Sequence, residues 1–86
     1  MAVRKNIQFS IRVKMEGRTR ELNFRQRSAD YYDADTSDEQ GVRWTFMWKQ
    51  ENGNWELQPM SHSHTLPAWL LHNTSAIREG FLTELL

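Results

Sequence analysis

Apolar and polar residues alternate along two stretches of this chain, and each stretch predicts a β-hairpin. In the first, residues 7–15, every odd position is apolar and every even position is polar. The apolar positions are Ile7, Phe9, Ile11, Val13 and Met15. Because side chains of a strand point alternately to its two faces, this segment predicts a half-buried strand.

The turn of this first hairpin is predicted at Gly17 and the residue after it. Glycine at the first central position suits a two-residue type II′ turn. That turn pairs Val13 with Leu22 and keeps both side chains on one face. The first hairpin is therefore predicted over residues 7–27.

The second alternating stretch, residues 42–60, is built around the pair Asn52-Gly53. Asparagine and glycine both accept positive φ, which a two-residue type I′ turn requires. With that turn Trp48 faces Leu57, and the apolar side chains of both strands share a face. The sequence therefore predicts a second hairpin over residues 42–60.

The segments after each hairpin predict a loop and a helical tail. Residues 28–41 carry five acids, strong turn formers and almost no aliphatic side chains, which predicts an acidic loop. Tyr31 and Tyr32 either pin this loop by packing or extend the second strand. Residues 66–86 predict two short helices, or one kinked helix as the alternative.

Strands followed by helices are typical of the α+β class. The 86 residues leave room for one domain, 1–86. We therefore predict a four-stranded antiparallel sheet built from two β-hairpins, with one or two C-terminal helices packed on one face.

Composition narrows the cellular setting. The chain has no cysteine, which excludes disulfides and thiol chemistry and is typical of a cytoplasmic protein. No apolar run approaches the length of a membrane helix, and no signal peptide opens the chain. We therefore expect a cytoplasmic protein with no membrane partner.

Charge is balanced overall but unevenly distributed. Residues 1–27 carry eight Lys or Arg and two Glu, whereas residues 28–41 carry five acids and no base. The first hairpin should present Arg12, Lys14, Arg25 and Arg27 on one sheet face. A basic β-ribbon of this kind predicts phosphate contacts, so nucleic-acid binding is one functional hypothesis. The alternative is an ordinary solvated face that the acidic loop partly neutralises.

The aromatic residues predict either core or interface. One short helix cannot easily cover all of the large side chains expected on the apolar face. Four of them are candidate interface residues: Trp44, Trp48, Trp55 and Trp69. An exposed aromatic surplus most often marks a protein interface, and low net charge with open sheet edges favours a homodimer.

Sequence signals for catalysis or cofactor binding are weak. No nucleophile motif and no glycine-rich phosphate loop occurs, so we expect neither an enzyme nor a cofactor. Three histidines, His62, His64 and His72, would suit a zinc site only if they converge, and their spacing fits no ligand pattern. A small-ligand or metal site around His62, His64 and Trp69 is the remaining hypothesis.

The stretch from Val42 to Pro67 resembles the final hairpin of nuclear-transport-factor-2-like domains. The residues that carry this resemblance are Trp44-Thr45-Phe46, Asn52-Gly53-Asn54-Trp55 and His62-Ser63-His64-Thr65-Leu66-Pro67. Those domains open with helices, whereas this chain opens with a strand and closes with helices. The resemblance therefore implies a hairpin and no pocket or activity. The sequence favours a non-enzymatic protein-interaction module that forms a homodimer.

Overall fold

A computed structural model describes residues 7–61 and 65–85. The elements are β1 (Gln8–Met15), β2 (Arg18–Ser28), β3 (Tyr31–Ser37), β4 (Arg43–Glu51), β5 (Asn54–Pro59), α1 (Ala68–Leu71) and α2 (Thr74–Leu85). The strands pair in chain order as one antiparallel sheet, so β1 and β5 are its two edges. The α+β class, the antiparallel sheet and the two C-terminal helices are confirmed. The predicted number of four strands is wrong, because the sheet has five.

The additional strand is β3, which lies at the centre of the sheet where the sequence predicted an acidic loop over 28–41. Tyr32, Ala34 and Thr36 are buried on one face of β3. Asp33 and Asp35 alternate with them and lie on the other face, beside arginines of the neighbouring strands. The loop prediction was wrong because these cations offset the cost of placing carboxylates in a central strand.

The register of the second hairpin is confirmed. Asn52 and Gly53 have φ values of 53° and 84°, the pair of positive values that a type I′ turn requires. Trp48 pairs with Leu57 across β4 and β5. Turn chemistry and alternation therefore specify the same register here.

The turn of the first hairpin lies one residue earlier than predicted. Glu16 and Gly17 occupy its two central positions, with φ values of 51° and 84°. As a result Ile11, rather than Val13, pairs with Leu22. The pairing shifts by two residues, and because the side-chain period of a strand is also two, each side chain stays on its predicted face.

Helix α2 covers one face of the sheet, which we call the inner face, and leaves the opposite open face to solvent. The ring of Phe81 lies at the centre of this contact and is fully buried. Its centroid is 4.8–5.7 Å from one aromatic ring on every strand. These rings belong to Phe9, Phe24, Tyr32, Trp48 and Trp55. One helical side chain thus connects all five strands.

Candidate functional site

A row of polar side chains crosses the open face over four strands. Ser10 donates a hydrogen bond to Asn23 Oδ1, and Asn23 Nδ2 donates to Asp35 Oδ1 at 2.9 Å. Arg43 donates to the second carboxylate oxygen of Asp35 at 3.2 Å. Each of these groups already has a partner within the sheet, so the row stabilises the strand register.

A second cluster on the open face surrounds Asp33. Its carboxylate accepts hydrogen bonds from Arg27 Nε and, at 2.7 Å, from the Tyr31 hydroxyl. Burial raises the pKa of Asp33, but these hydrogen bonds and the charges of Arg27 and Arg25 outweigh it, so the pKa is lowered. The hydrogen bond between the Tyr31 hydroxyl and Asp33 is also the main reason that the pKa of Tyr31 is raised. The cluster holds its carboxylate ionised.

The four predicted nucleic-acid contacts divide into two pairs. Arg25 and Arg27 lie beside the carboxylate of Asp33, which partly neutralises them. Arg12 and Lys14 lie on β1 and are exposed, with no ion pair among residues 7–61 and 65–85. The structure therefore leaves two unpaired cations along one strand, where the sequence predicted a basic face of four.

The four predicted interface tryptophans also divide. Trp48 and Trp55 are 0% and 6% exposed and belong to the core. Trp44 and Trp69 are half-buried and contact polar groups. Trp44 Nε1 lies 3.4 Å from a carboxylate oxygen of Asp38, to which it donates a hydrogen bond. The folded chain thus offers little indole surface to a partner.

The face of Trp69 is covered by a buried arginine. The guanidinium of Arg20 lies 3.8 Å from the ring centroid, and its Nη2 atom is 3.1 Å from Glu39 Oε2. Arg18 Nε contacts the same carboxylate oxygen at 3.2 Å. These contacts tie α1 and the β3–β4 connection to β2, so this cluster has a structural role.

One edge of the sheet, that of β5, is partly protected. The backbone carbonyl of Trp55 accepts a hydrogen bond at 3.0 Å from Arg78 Nε on α2. Pro59, further along the same strand, has no N–H to offer. A side chain that binds the backbone and a proline are both devices that protect a sheet edge from pairing with another chain.

The opposite edge, that of β1, is free of partners among residues 7–61 and 65–85. The carbonyl of Ile7 accepts a hydrogen bond from Gln26 N at 2.9 Å, so the backbone of Ile7 points toward β2. Backbone direction alternates along an antiparallel strand, so the residues at even positions point outward. They are Gln8, Ser10, Arg12 and Lys14. In the part of the chain that the structure describes, no hydrogen bond reaches these outward N–H and C=O groups.

A groove of about 480 Å³ runs beside this free edge, between β1 and α2. Ile11, Val13 and Gly80 are among the residues that line it. β1 and α2 approach closely here, as shown by the distance of 3.2 Å between a Cβ atom placed on Gly80 and Ile11 Cδ1. The β1 wall includes Arg12 and Lys14, whose side chains point to the open face, away from α2. The acids Glu79 and Glu84 of α2 form the other wall.

Evidence for a metal site or a membrane span is absent from the described residues. His72 follows α1 and is exposed, while His62 and His64 lie outside the described residues. No three His, Cys, Asp or Glu side chains of 7–61 and 65–85 are placed to share a metal ion. No helix described here is both long and apolar enough to cross a membrane.

Comparison with protein-family models, with curated proteins and with solved structures finds no match to this chain. The candidate site is therefore defined by its own geometry. It consists of the free edge of β1 and the charged groove beside it.

Proposed function

We propose that the protein is a non-enzymatic interaction module that binds an extended segment of another protein chain along the free edge of β1. The observation that carries this proposal is the difference between the two edges of the sheet. Arg78 binds one outward carbonyl of β5 and Pro59 removes one outward N–H, whereas none of the outward backbone groups of β1 has a partner among the described residues. An added strand at an open sheet edge is a recurring mode of peptide recognition.

The energetics of such binding come mainly from the backbone. The outward residues of β1 alternate over its eight positions and offer both donors and acceptors. Each backbone hydrogen bond contributes about 0.5–1.5 kcal/mol net. Side chains of the added strand that point toward α2 would also fill the groove over Ile11 and Val13. Backbone pairing supplies affinity, and the groove supplies selectivity.

A second copy of the chain is a less favourable occupant of this edge. In an antiparallel β1–β1 pair, Arg12 and Lys14 of both copies would line the same face of neighbouring strands. Like charges on adjacent strands are destabilising. Sedimentation decides this point, because a concentration-dependent dimer that an edge-blocking substitution abolishes would identify the second copy as the occupant.

Nucleic-acid binding through Arg12, Lys14, Arg25 and Arg27 stays a prediction. Its support is weaker than the sequence indicated, because the Asp33 carboxylate forms an ion pair with Arg27 and its charge also offsets that of Arg25. A salt titration of binding to random oligonucleotides tests it, since phosphate contacts weaken steeply with salt.

Crosslinking from single cysteines tests the proposed edge, because the chain has no cysteine of its own. Gln8→Cys places a photo-reactive label on the free edge, and Glu56→Cys places the same label on the partly protected edge. We expect label on β1, and not on β5, to join to the protein that copurifies from the native host. Equal crosslinking from both positions would contradict the proposal.

A proline at Ser10 provides the matched loss of function. The N–H of Ser10 points outward, so Ser10→Pro removes an edge donor without removing a hydrogen bond of the β1–β2 ladder. Ser10→Ala is its control, because it also loses the hydroxyl bond to Asn23 but keeps the N–H. We expect Ser10→Pro alone to abolish crosslinking. Unchanged circular dichroism and thermal melting would show that the variant is folded.

A further inference from the structure

We infer that the segment bound at β1 carries acidic and basic side chains at alternating positions, with its acids above the open face and its bases toward α2. This inference rests on the proposed function and specifies the chemistry of the partner. It follows from the charges on the two walls of the groove between β1 and α2.

The open-face wall of the groove is cationic. Arg12 and Lys14 are two residues apart on β1, so both side chains point to the open face. Each is exposed and has no ion pair among the described residues. The nearest opposite charge in the register is that of Glu21, which pairs across the ladder with Arg12. Carboxylates on the added strand would lie directly beside these two cations.

The helical wall of the groove is anionic. Glu79 and Glu84 are exposed on α2, and within 7–61 and 65–85 neither forms an ion pair. Both acids line the groove, so basic side chains of the added strand that point toward α2 would lie beside them.

A single extended strand can meet the charge requirements of both walls. Side chains at successive positions point to opposite faces, so one extended segment can place acids on the open face and bases toward α2. Its charges then alternate in sequence, acid and base, while its net charge is near zero. A segment with all its acids in one block cannot satisfy both walls at once. The order of the charges, and not their sum, would be what the groove recognises.

Two synthetic peptides test this inference directly. Both are as long as β1, eight residues, and both contain equal numbers of Glu and Lys. In the first the two residue types alternate, and in the control all Glu precede all Lys. At low salt we expect the alternating peptide to bind about tenfold more tightly, measured by calorimetry. Its amide shifts in nuclear magnetic resonance should centre on Ser10, Arg12 and Lys14.

Charge reversal on the protein provides a stricter test. Arg12→Glu with Lys14→Glu makes both walls acidic, and Glu79→Lys with Glu84→Lys makes both basic. We expect each double variant to lose about tenfold in affinity for the alternating peptide. All four substitutions together should restore binding, because the peptide can shift by one residue and exchange its two faces. Lys49→Glu on β4 is the control and should have no effect.

The outcomes separate this inference from the proposed function. Equal affinity for the two peptides, or no binding of the alternating peptide, overturns the inferred charge pattern. Failure of the fourfold variant to recover affinity, with its fold intact by circular dichroism, also overturns it. Crosslinking from Gln8→Cys is independent of peptide charge and decides separately whether β1 is the binding edge.

Discussion

The centroid of the Phe81 ring lies 4.8 Å from that of the Trp55 ring and 5.7 Å from that of the Phe9 ring. These two partners stand on opposite edge strands of the sheet, so a single side chain on α2 spans its full width. A small domain has about 5–15 kcal/mol of stability in total. The contact of Phe81 with all five strands should therefore be a large part of it.

We expect Phe81→Ala to lower the free energy of unfolding by about 3–5 kcal/mol, because the substitution leaves a cavity where all five strands meet. Urea unfolding followed by tryptophan fluorescence measures this change. Leu82→Ala is the control, since Leu82 is the next residue of α2 and 41% exposed. Equal losses for the two variants would show that Phe81 does not hold the sheet together.

The close approach of α2 to β1 limits the size of the side chain that position 80 can accept. Alanine gains about 1 kcal/mol in helix propensity, and its Cβ would lie 3.2 Å from Ile11 Cδ1, the movable end of a side chain. We therefore expect Gly80→Ala to stabilise the fold by less than about 1 kcal/mol. Gly80→Leu should destabilise it by about 1–3 kcal/mol, because it overpacks the contact. Thermal melting of both variants measures the effect, and a stabilising Leu would contradict the close approach.

The lowered pKa of Asp33 predicts a pH-dependent contribution to stability. A carboxyl whose folded pKa lies below its ordinary value of 3.8 adds stability above that pH and loses it as the pH falls through the folded pKa. We expect Asp33→Asn to cost about 0.5–1 kcal/mol at neutral pH. The difference from wild type should vanish in strong acid.

Urea unfolding of both proteins over a series of pH values measures this contribution. Asp30→Asn is the control, because Asp30 is exposed and its side chain makes no hydrogen bond or ion pair within the described residues. A difference between wild type and Asp33→Asn that stays constant down to the lowest pH would exclude the assigned role of the Asp33 carboxylate.

The buried position of Arg20 beneath Trp69 predicts that the volume of its side chain contributes more to stability than its charge does. Its Nε atom has no hydrogen-bond partner among the described residues, although its Nη2 contacts Glu39. Replacing a buried ion by an apolar side chain of similar size is often neutral. We expect Arg20→Met to stay within about 1 kcal/mol of wild type and Arg20→Ala to lose about 2 kcal/mol or more. Equal losses for methionine and alanine in thermal unfolding would assign the stability to the ion pair.

Most of the strands could be predicted because turn chemistry and alternation agree there. Asn52 and Gly53 specify one turn type, and that turn specifies the whole second hairpin. In the first hairpin, Glu16 occupies a position with positive φ, which glutamate rarely adopts. The sequence therefore favoured the next residue pair, and the predicted turn was displaced by one position.

The central strand β3 was missed because its outward residues are acids. Aspartate is depleted in strands, and two of them near turn formers predicted a loop. The alternation of Tyr32, Ala34 and Thr36 with Asp33 and Asp35 was the signal that could have identified it. Reading this alternation would also have shown that the basic face of the first hairpin has acids beside it.

The candidate site could be predicted only in part. Open sheet edges were expected, and the sequence places Pro59, which has no N–H for a ladder, where a strand ends or lies at an edge. Which edge stays free depends on Arg78, whose contact with the carbonyl of Trp55 joins residues far apart in sequence. The groove between β1 and α2 depends equally on tertiary packing, so alternation within one segment could not reveal it.

The pairing of each strand with its neighbour in sequence has a kinetic consequence. Every ladder of the sheet closes over a short loop, and short loops cost the least entropy to form. Chains dominated by such local contacts fold quickly. The sheet can therefore assemble one strand at a time during synthesis, and α2, which follows all five strands in the chain, completes this structure when Phe81 packs against them.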